Sequence, residues 1–145
     1  MGGGIYISEK STVRITDSFF LKSNVTAQAG ALLIESDSLV NITNVVFEKL
    51  YSTEASSVMT VNEAKVNIEE GRFYDNIAKV GLMQQSSSIV NITDSYFIDN
   101  YGYEVTNGFV LTESDLFLNR TQISNRRKPY YTYDDIWLEN GGAVS

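Results

Sequence analysis

The residues best placed to do chemistry in this sequence are carboxylates. His and Cys are both absent from its 145 residues. That removes the commonest general base, the commonest zinc ligand and any Ser-His or Cys-His nucleophile. Three carboxylate sets remain: Asp94 with Asp99, Glu69 with Glu70, and Asp134 with Asp135. Two carboxyls across a sugar could hydrolyse a glycosidic bond, one as acid and one as base or nucleophile. The same oxygens could hold calcium. Yet Glu69, Glu70 and Asp94 stand in turn-like stretches, where acidic residues are expected anyway. No basic partner recurs beside them, and no Asp-rich loop has calcium spacing. We read them as solvated turn residues and expect no catalytic residue, metal ligand or cofactor.

A second constellation could bind rather than react. Tyr130, Tyr131, Tyr133 and Trp137 are flat amphipathic surfaces, and Asp134 and Asp135 add hydrogen-bond acceptors. Such a set could stack on sugar rings or on a protein partner. The competing reading is a loop folded back over the apolar side of its own domain. Four N-x-[ST] sequons, at Asn24, Asn41, Asn91 and Asn119, are glycan acceptors if the chain is exported. Net charge is −7, which argues against nucleic acid and anionic membrane surfaces, since both need clustered Lys and Arg. No run reaches the length of a membrane-spanning helix.

These residues sit on a repeat. Leu39-Val-Asn-Ile-Thr-Asn-Val-Val-Phe47 recurs as Lys65-Val-Asn-Ile-Glu-Glu-Gly-Arg-Phe73, as Ile89-Val-Asn-Ile-Thr-Asp-Ser-Tyr-Phe97 and as Thr12-Val-Arg-Ile-Thr-Asp-Ser-Phe-Phe20. A degraded copy runs from Leu116 to Ile123. The anchor falls at Val13, Val40, Val66, Val90 and Leu116, giving steps of 27, 26, 24 and 26. A period in this range marks a repeat architecture. Each copy opens with small residues and an apolar segment, from which Ile5, Ile7, Leu32, Ile34, Met59, Val61, Leu82, Phe109 and Leu111 share one face, with Gln84 as the exception. The other face carries Tyr6, Leu33, Val58, Met83 and Val110, an apolar stripe where polar residues would be usual and hence a candidate interface. After a polar turn, the second segment alternates strictly: Val13/Ile15, Val40/Ile42, Val66/Ile68, Val90/Ile92 and Leu116/Leu118 point one way. Arg14, Asn41, Asn67, Asn91 and Phe117 point the other. Three short strands and three turns fit each copy, and no helical stripe appears. The expected fold is all-β: a right-handed parallel β-helix of about five coils, with like residues stacked about 4.8 Å apart. No coil could bury enough surface alone, so stacking supplies the stability.

The pattern resembles the pectin-lyase-like right-handed β-helix superfamily. Phe73-Tyr-Asp-Asn76 and Phe97-Ile-Asp-Asn100 are similar to the Phe-x-x-Asn repeats of chlamydial polymorphic membrane proteins and of large protist surface β-helix proteins. Gly2-Gly-Gly-Ile5 and Gly141-Gly-Ala-Val144 resemble their glycine motif. Two copies depart from Phe-x-x-Asn, with Ser23 after Phe20 and Leu50 after Phe47 in place of Asn. The resemblance implies a secreted or cell-surface protein and does not fix a function, because adhesins, lyases and hydrolases share such repeats.

We therefore expect one domain over residues 1–145, a segment of a larger protein, with coils at about 2–28, 29–55, 56–79, 80–106 and 107–125. An insertion loop over 126–140 and the start of a sixth coil at 141–145 follow. The expected role is a non-catalytic structural or adhesive module, meeting a protein or carbohydrate ligand or associating with itself into an oligomer or fibre. The competing class is a polysaccharide lyase or glycoside hydrolase, with Asp94 and Asp99 as its carboxylates.

Overall fold

The structure is a computed structural model that describes residues 4–26, 29–125, 135–139 and 143–145. Coil one carries β1 (Ile5–Ile7), β2 (Thr12–Leu21) and β3 (Asn24–Val25). Coil two carries β4 (Leu32–Ile34), β5 (Leu39–Glu48) and β6 (Tyr51–Ser52). Coil three carries β7 (Met59–Asn62), β8 (Lys65–Glu69), β9 (Arg72–Tyr74) and β10 (Ile77–Ala78). Coil four carries β11 (Met83–Ser86), β12 (Ile89–Thr93), β13 (Tyr96–Ile98) and β14 (Tyr101–Gly102). Coil five carries β15 (Phe109–Thr112), β16 (Asp115–Asn119) and β17 (Gln122–Ser124), and β18 (Ile136–Glu139) and β19 (Ala143–Val144) follow.

Among the described residues every strand pairing is parallel and joins neighbouring coils. The first strands form one sheet, β1-β4-β7-β11-β15-β18, and the short third ones form β14-β10-β6-β3. The second sheet registers Val13 on Val40, Val40 on Val66, Val66 on Val90 and Val90 on Leu116. These are the columns that the repeat predicts. Their inward members Val40, Ile42, Val66, Ile68, Val90 and Ile92 are buried. Phe20, Phe47, Phe73 and Phe97 form one column of parallel rings, with centroids 5.0, 5.0 and 4.2 Å apart. Offset stacking adds to burial in such a column. Phe109 closes it edge-on against Phe97 at 5.1 Å, from the same coil in which Ile123 replaces the aromatic.

Corners explain the turn residues. Lys10, Asp37, Glu63, Ser87 and Glu113 take positive φ at the first corner, and Asp17, Asn44, Glu70, Asp94 and Arg120 do so at the second. Lys22, Lys49, Asp75 and Asp99 do so at the third. The residue after each αL position is commonly a small polar one whose side chain caps the coil before it. Ala64 N donates to Ser88 Oγ at 3.1 Å and Gly71 N to Ser95 Oγ at 3.0 Å. At the third corner Asn does this: Leu50 N donates to Asn76 Oδ1 at 3.0 Å, and Asn76 N to Asn100 Oδ1 at 3.1 Å. Buried backbone N–H groups need such partners, which gives the Phe-x-x-Asn spacing its physical reason. The glycine of the opening motif answers a close approach: a Cβ on Gly30 would lie 1.6 Å from the Ser57 carbonyl oxygen.

Two expectations need correcting. The insertion loop does not run to 140, nor does the sixth coil open at 141. Ile136–Glu139 already pairs with Phe109–Thr112, and Ala143–Val144 pairs with Asp115–Leu116 in the second sheet. The glycine pair resembled a coil opening, but the first strand precedes it, as Ile136, Trp137 and Leu138. The second correction concerns coil four. Leu82 is buried in the core as expected, but Met83 and Gln85 carry the inward column of the strand and Gln84 points outward, because Met83 registers on Met59 and Gln85 on Val61.

Candidate functional site

The outward face of the second sheet is built by strict alternation. Where Val and Ile point in, the register places Arg14, Asn41, Asn67, Asn91 and Phe117 side by side on the outside. Two residues on, Thr16, Thr43, Glu69, Thr93 and Asn119 form a second outward column. The amides are joined. Asn67 Nδ2 donates to Asn41 Oδ1 at 2.8 Å, and Asn91 Nδ2 donates to Asn67 Oδ1 at 2.8 Å. All three asparagines are half-buried, so each ladder bond is sheltered but not dry. Arg14, the three asparagines, Thr43, Glu69 and Thr93 line an open groove of about 410 Å³. Phe117, 43% exposed, continues the asparagine column beyond Asn91.

The expected apolar stripe on the first sheet is not there. Its outward column is Tyr6, Leu33, Thr60, Gln84 and Val110. Val58 and Met83 are fully buried core residues, and Leu33 and Val110 are buried as well. Only Tyr6 of the five is exposed, and its hydroxyl donates to Glu35 Oε2 at 2.9 Å. Leu33 and Thr60 share a hollow with Ala55, from the connection that folds over this face. Cover from the protein's own connection, together with the shifted register, removes the stripe.

Tyr130, Tyr131, Tyr133 and Asp134 lie outside the described residues. The backbone of Trp137 registers on Val110 in the first sheet. Asp135 Oδ1 accepts from Asn125 Nδ2 at 3.1 Å, which ties this carboxylate to the third-corner asparagine ladder.

Of the carboxylates weighed as catalytic pairs, Asp94 is held in an ion pair. Arg120 grips Asp94 with both ends, Nε to Oδ1 at 2.6 Å and Nη2 to Oδ2 at 2.7 Å. The Arg120 hydrogen bonds hold the Asp94 carboxyl below its ordinary range, the wrong direction for a general acid at neutral pH. Asp94 sits at the second corner and Asp99 at the third. Glu69 faces outward from β8, while Glu70 is the corner residue beside it. Among the described residues, no three His, Cys, Asp or Glu side chains converge as metal ligands.

The sequons divide into two kinds. Asn24 and Asn119 are exposed at strand ends, whereas Asn41 and Asn91 belong to the amide ladder. Reading Asn41 and Asn91 as sequons hid the ladder, because its middle member, Asn67, is followed by Ile-Glu and is no sequon. The signal available was one residue type at one outward position in three successive coils. A further outward column lies on the third sheet. Tyr51, Ile77 and Tyr101 stack outward on the third sheet, with Tyr51 and Ile77 exposed.

No curated protein and no solved structure matches the chain. Stacked parallel coils, αL corners and polar caps within each turn belong to one architecture, and the family described as right handed beta helix region matches residues 1–141, so the chain is a member of that family.

Proposed function

We propose that this protein is a non-catalytic recognition module of the extracellular space or cell surface, meeting its partner through a side of the β-helix. The observation that carries this reading is the outward face of the second sheet. It presents an ordered row of amides and hydroxyls with an aromatic ring in the same column, and no converging acid, base and nucleophile. Such a face is suited to holding a ligand. Similarity of the Phe-x-x-Asn and glycine motifs to those of polymorphic membrane proteins, protist surface proteins and the pectin-lyase-like superfamily supports a surface location. The exposed Asn24 and Asn119 side chains suit glycan attachment. Self-association through the same sides, or through the ends into a fibre, belongs to this reading.

The test uses purified protein on a polysaccharide panel and on immobilised extracellular matrix. Retention without release of new reducing ends supports the proposal. Reducing-end release that is lost in Asp94→Asn overturns it in favour of a lyase or hydrolase. Light scattering across a concentration series reads self-association, and glycopeptide mass spectrometry reads occupancy of the four sequons.

A further inference from the structure

The asparagine ladder has capacity left over. An Asn amide carries two N–H donors and an oxygen with two lone pairs. Asn67 uses one hydrogen on Asn41 and one lone pair on Asn91. Asn41 and Asn91 likewise keep donors and acceptors unspent. No described residue takes the Thr43 or Thr93 hydroxyl, and both lie in the adjoining column of the same groove. The ladder bonds fix each amide plane in advance, so a ligand would lose little side-chain freedom on docking. The result is a row of donor–acceptor pairs repeating about every 4.8 Å along the axis. That repeat is close to the advance of one sugar in an extended β-1,4-linked chain. A more strongly coiled α-1,4-linked chain would leave the row after two or three units.

Phe117 supplies what the amides lack. Its ring is exposed in the Asn91 column one coil away, where it can take the C–H face of a pyranose while the amides take hydroxyls. From Arg14 to Phe117 the column makes four coil steps, roughly 19 Å at the strand spacing, which matches about four sugars. Charge narrows the class further. The groove holds one cation, Arg14, and one carboxylate, Glu69. The chain as a whole carries −7, so a polyanion would be repelled.

We propose that the outward Arg14–Asn41–Asn67–Asn91–Phe117 column is a binding track for a neutral, extended β-1,4-linked polysaccharide lying along the β-helix axis. This rests on the recognition-module reading above and names its ligand class.

Isothermal titration with cellohexaose tests it, with maltohexaose and hexagalacturonate as comparisons. Cellohexaose should bind at least 10-fold more tightly than either. Asn67→Ala and Phe117→Ala should each weaken it 5-fold or more, and Asn24→Ala, exposed on the third sheet, should leave it unchanged. Circular dichroism of each variant checks the fold. Asn67→Gln keeps the amide but breaks the ladder spacing, and it gives a second reading if Asn67→Ala unfolds. Equal affinity for maltohexaose, tighter binding of hexagalacturonate, or full affinity in both Asn67→Ala and Phe117→Ala would overturn the track. No cellohexaose binding by protein that still adheres to extracellular matrix would also overturn the track while leaving the recognition module standing. Cleavage of cellohexaose would instead overturn the non-catalytic reading.

Discussion

Asn76 Nδ2 donates to Asn100 Oδ1 at 2.9 Å, and neither residue exposes any surface. The same Asn100 oxygen accepts from the Asn76 backbone N–H, and Asn100 Nδ2 donates to the Phe73 carbonyl at 2.9 Å. One side chain thus satisfies groups on coil three that water cannot reach. Truncation in Asn100→Ala would leave two donors and an acceptor without partners. At about 1–3 kcal/mol for a buried group left unmade, allowing for relaxation, the expected loss is about 2–4 kcal/mol by urea unfolding. Asn100→Asp should cost at least as much, because it cannot donate to Phe73 and brings a charge inside. Wild-type stability in either variant would contradict the role assigned to this corner.

Gln85 should be a weak point in the core. It is 1% exposed, both atoms of its amide lack a hydrogen-bond partner among the described residues, and it stands between Val61 and Leu111. Burying an unpaired amide costs about 1–3 kcal/mol on protein scales. Gln85→Leu, near in volume, is expected to stabilise the fold by about 1–2 kcal/mol, read as a higher urea midpoint with an unchanged slope. An unchanged or lower midpoint would mean that the amide has found a partner.

Glu63 holds φ 48° at the first corner, and its N–H donates to the Ser86 carbonyl at 2.9 Å. A side chain other than Gly or Asn in that region costs roughly 1–2 kcal/mol. Glu63→Asn should recover about 0.5–1 kcal/mol, because Asn tolerates αL without glycine's entropy in the unfolded chain. Glu63→Pro should be strongly destabilising, since its ring fixes φ near −65° and removes the donor. Thermal melts of the two variants should move in opposite directions.

The Asp94–Arg120 pair should make a small, pH-dependent contribution. Its carboxyl is held below its ordinary range by the Arg120 hydrogen bonds. A depressed folded pKa stabilises above the unfolded value, and that contribution disappears as pH falls through the folded one. Melts of the parent and of Asp94→Asn should therefore differ at neutral pH and converge in acid, below the ordinary carboxylate range. Both partners are well exposed, so salt should shrink the neutral-pH difference. A difference that grows in acid would reverse the sign argued here.

Sequence patterning carried the inner columns because Val, Ile and Phe recur with a two-residue alternation and a coil-length period together. Even the uneven steps have a cause in the chain. Coil two turns its first corner with two αL residues, Ser36 and Asp37, where coil three uses Glu63 alone, which shortens the step from 27 to 26. The first strand of coil four was not legible. Val80-Gly81-Leu82-Met83-Gln84-Gln85 offers apolar residues in either parity, and only pairing with Met59 and Val61 selects the one that buries a glutamine. The amide track was legible as residues but not as a site. Its hydrogen bonds connect positions a coil apart, and those meet only after folding.

Coil three is short for a different reason from its neighbours. Residues 79–82 connect β10 to β11, whereas residues 53–58 and 103–108 make the same crossing in the coils on either side. The strands flanking all three keep their register to the residue. Two residues of chain were therefore absorbed here without moving a ladder bond. A foreign loop is expected to be accepted best between Lys79 and Val80, the half-buried residues of this crossing, rather than beside buried Ala78, Gly81 or Leu82, and the second-sheet face would be left clear. A solenoid that takes up length changes at its crossings and corners can change what it displays while keeping its scaffold.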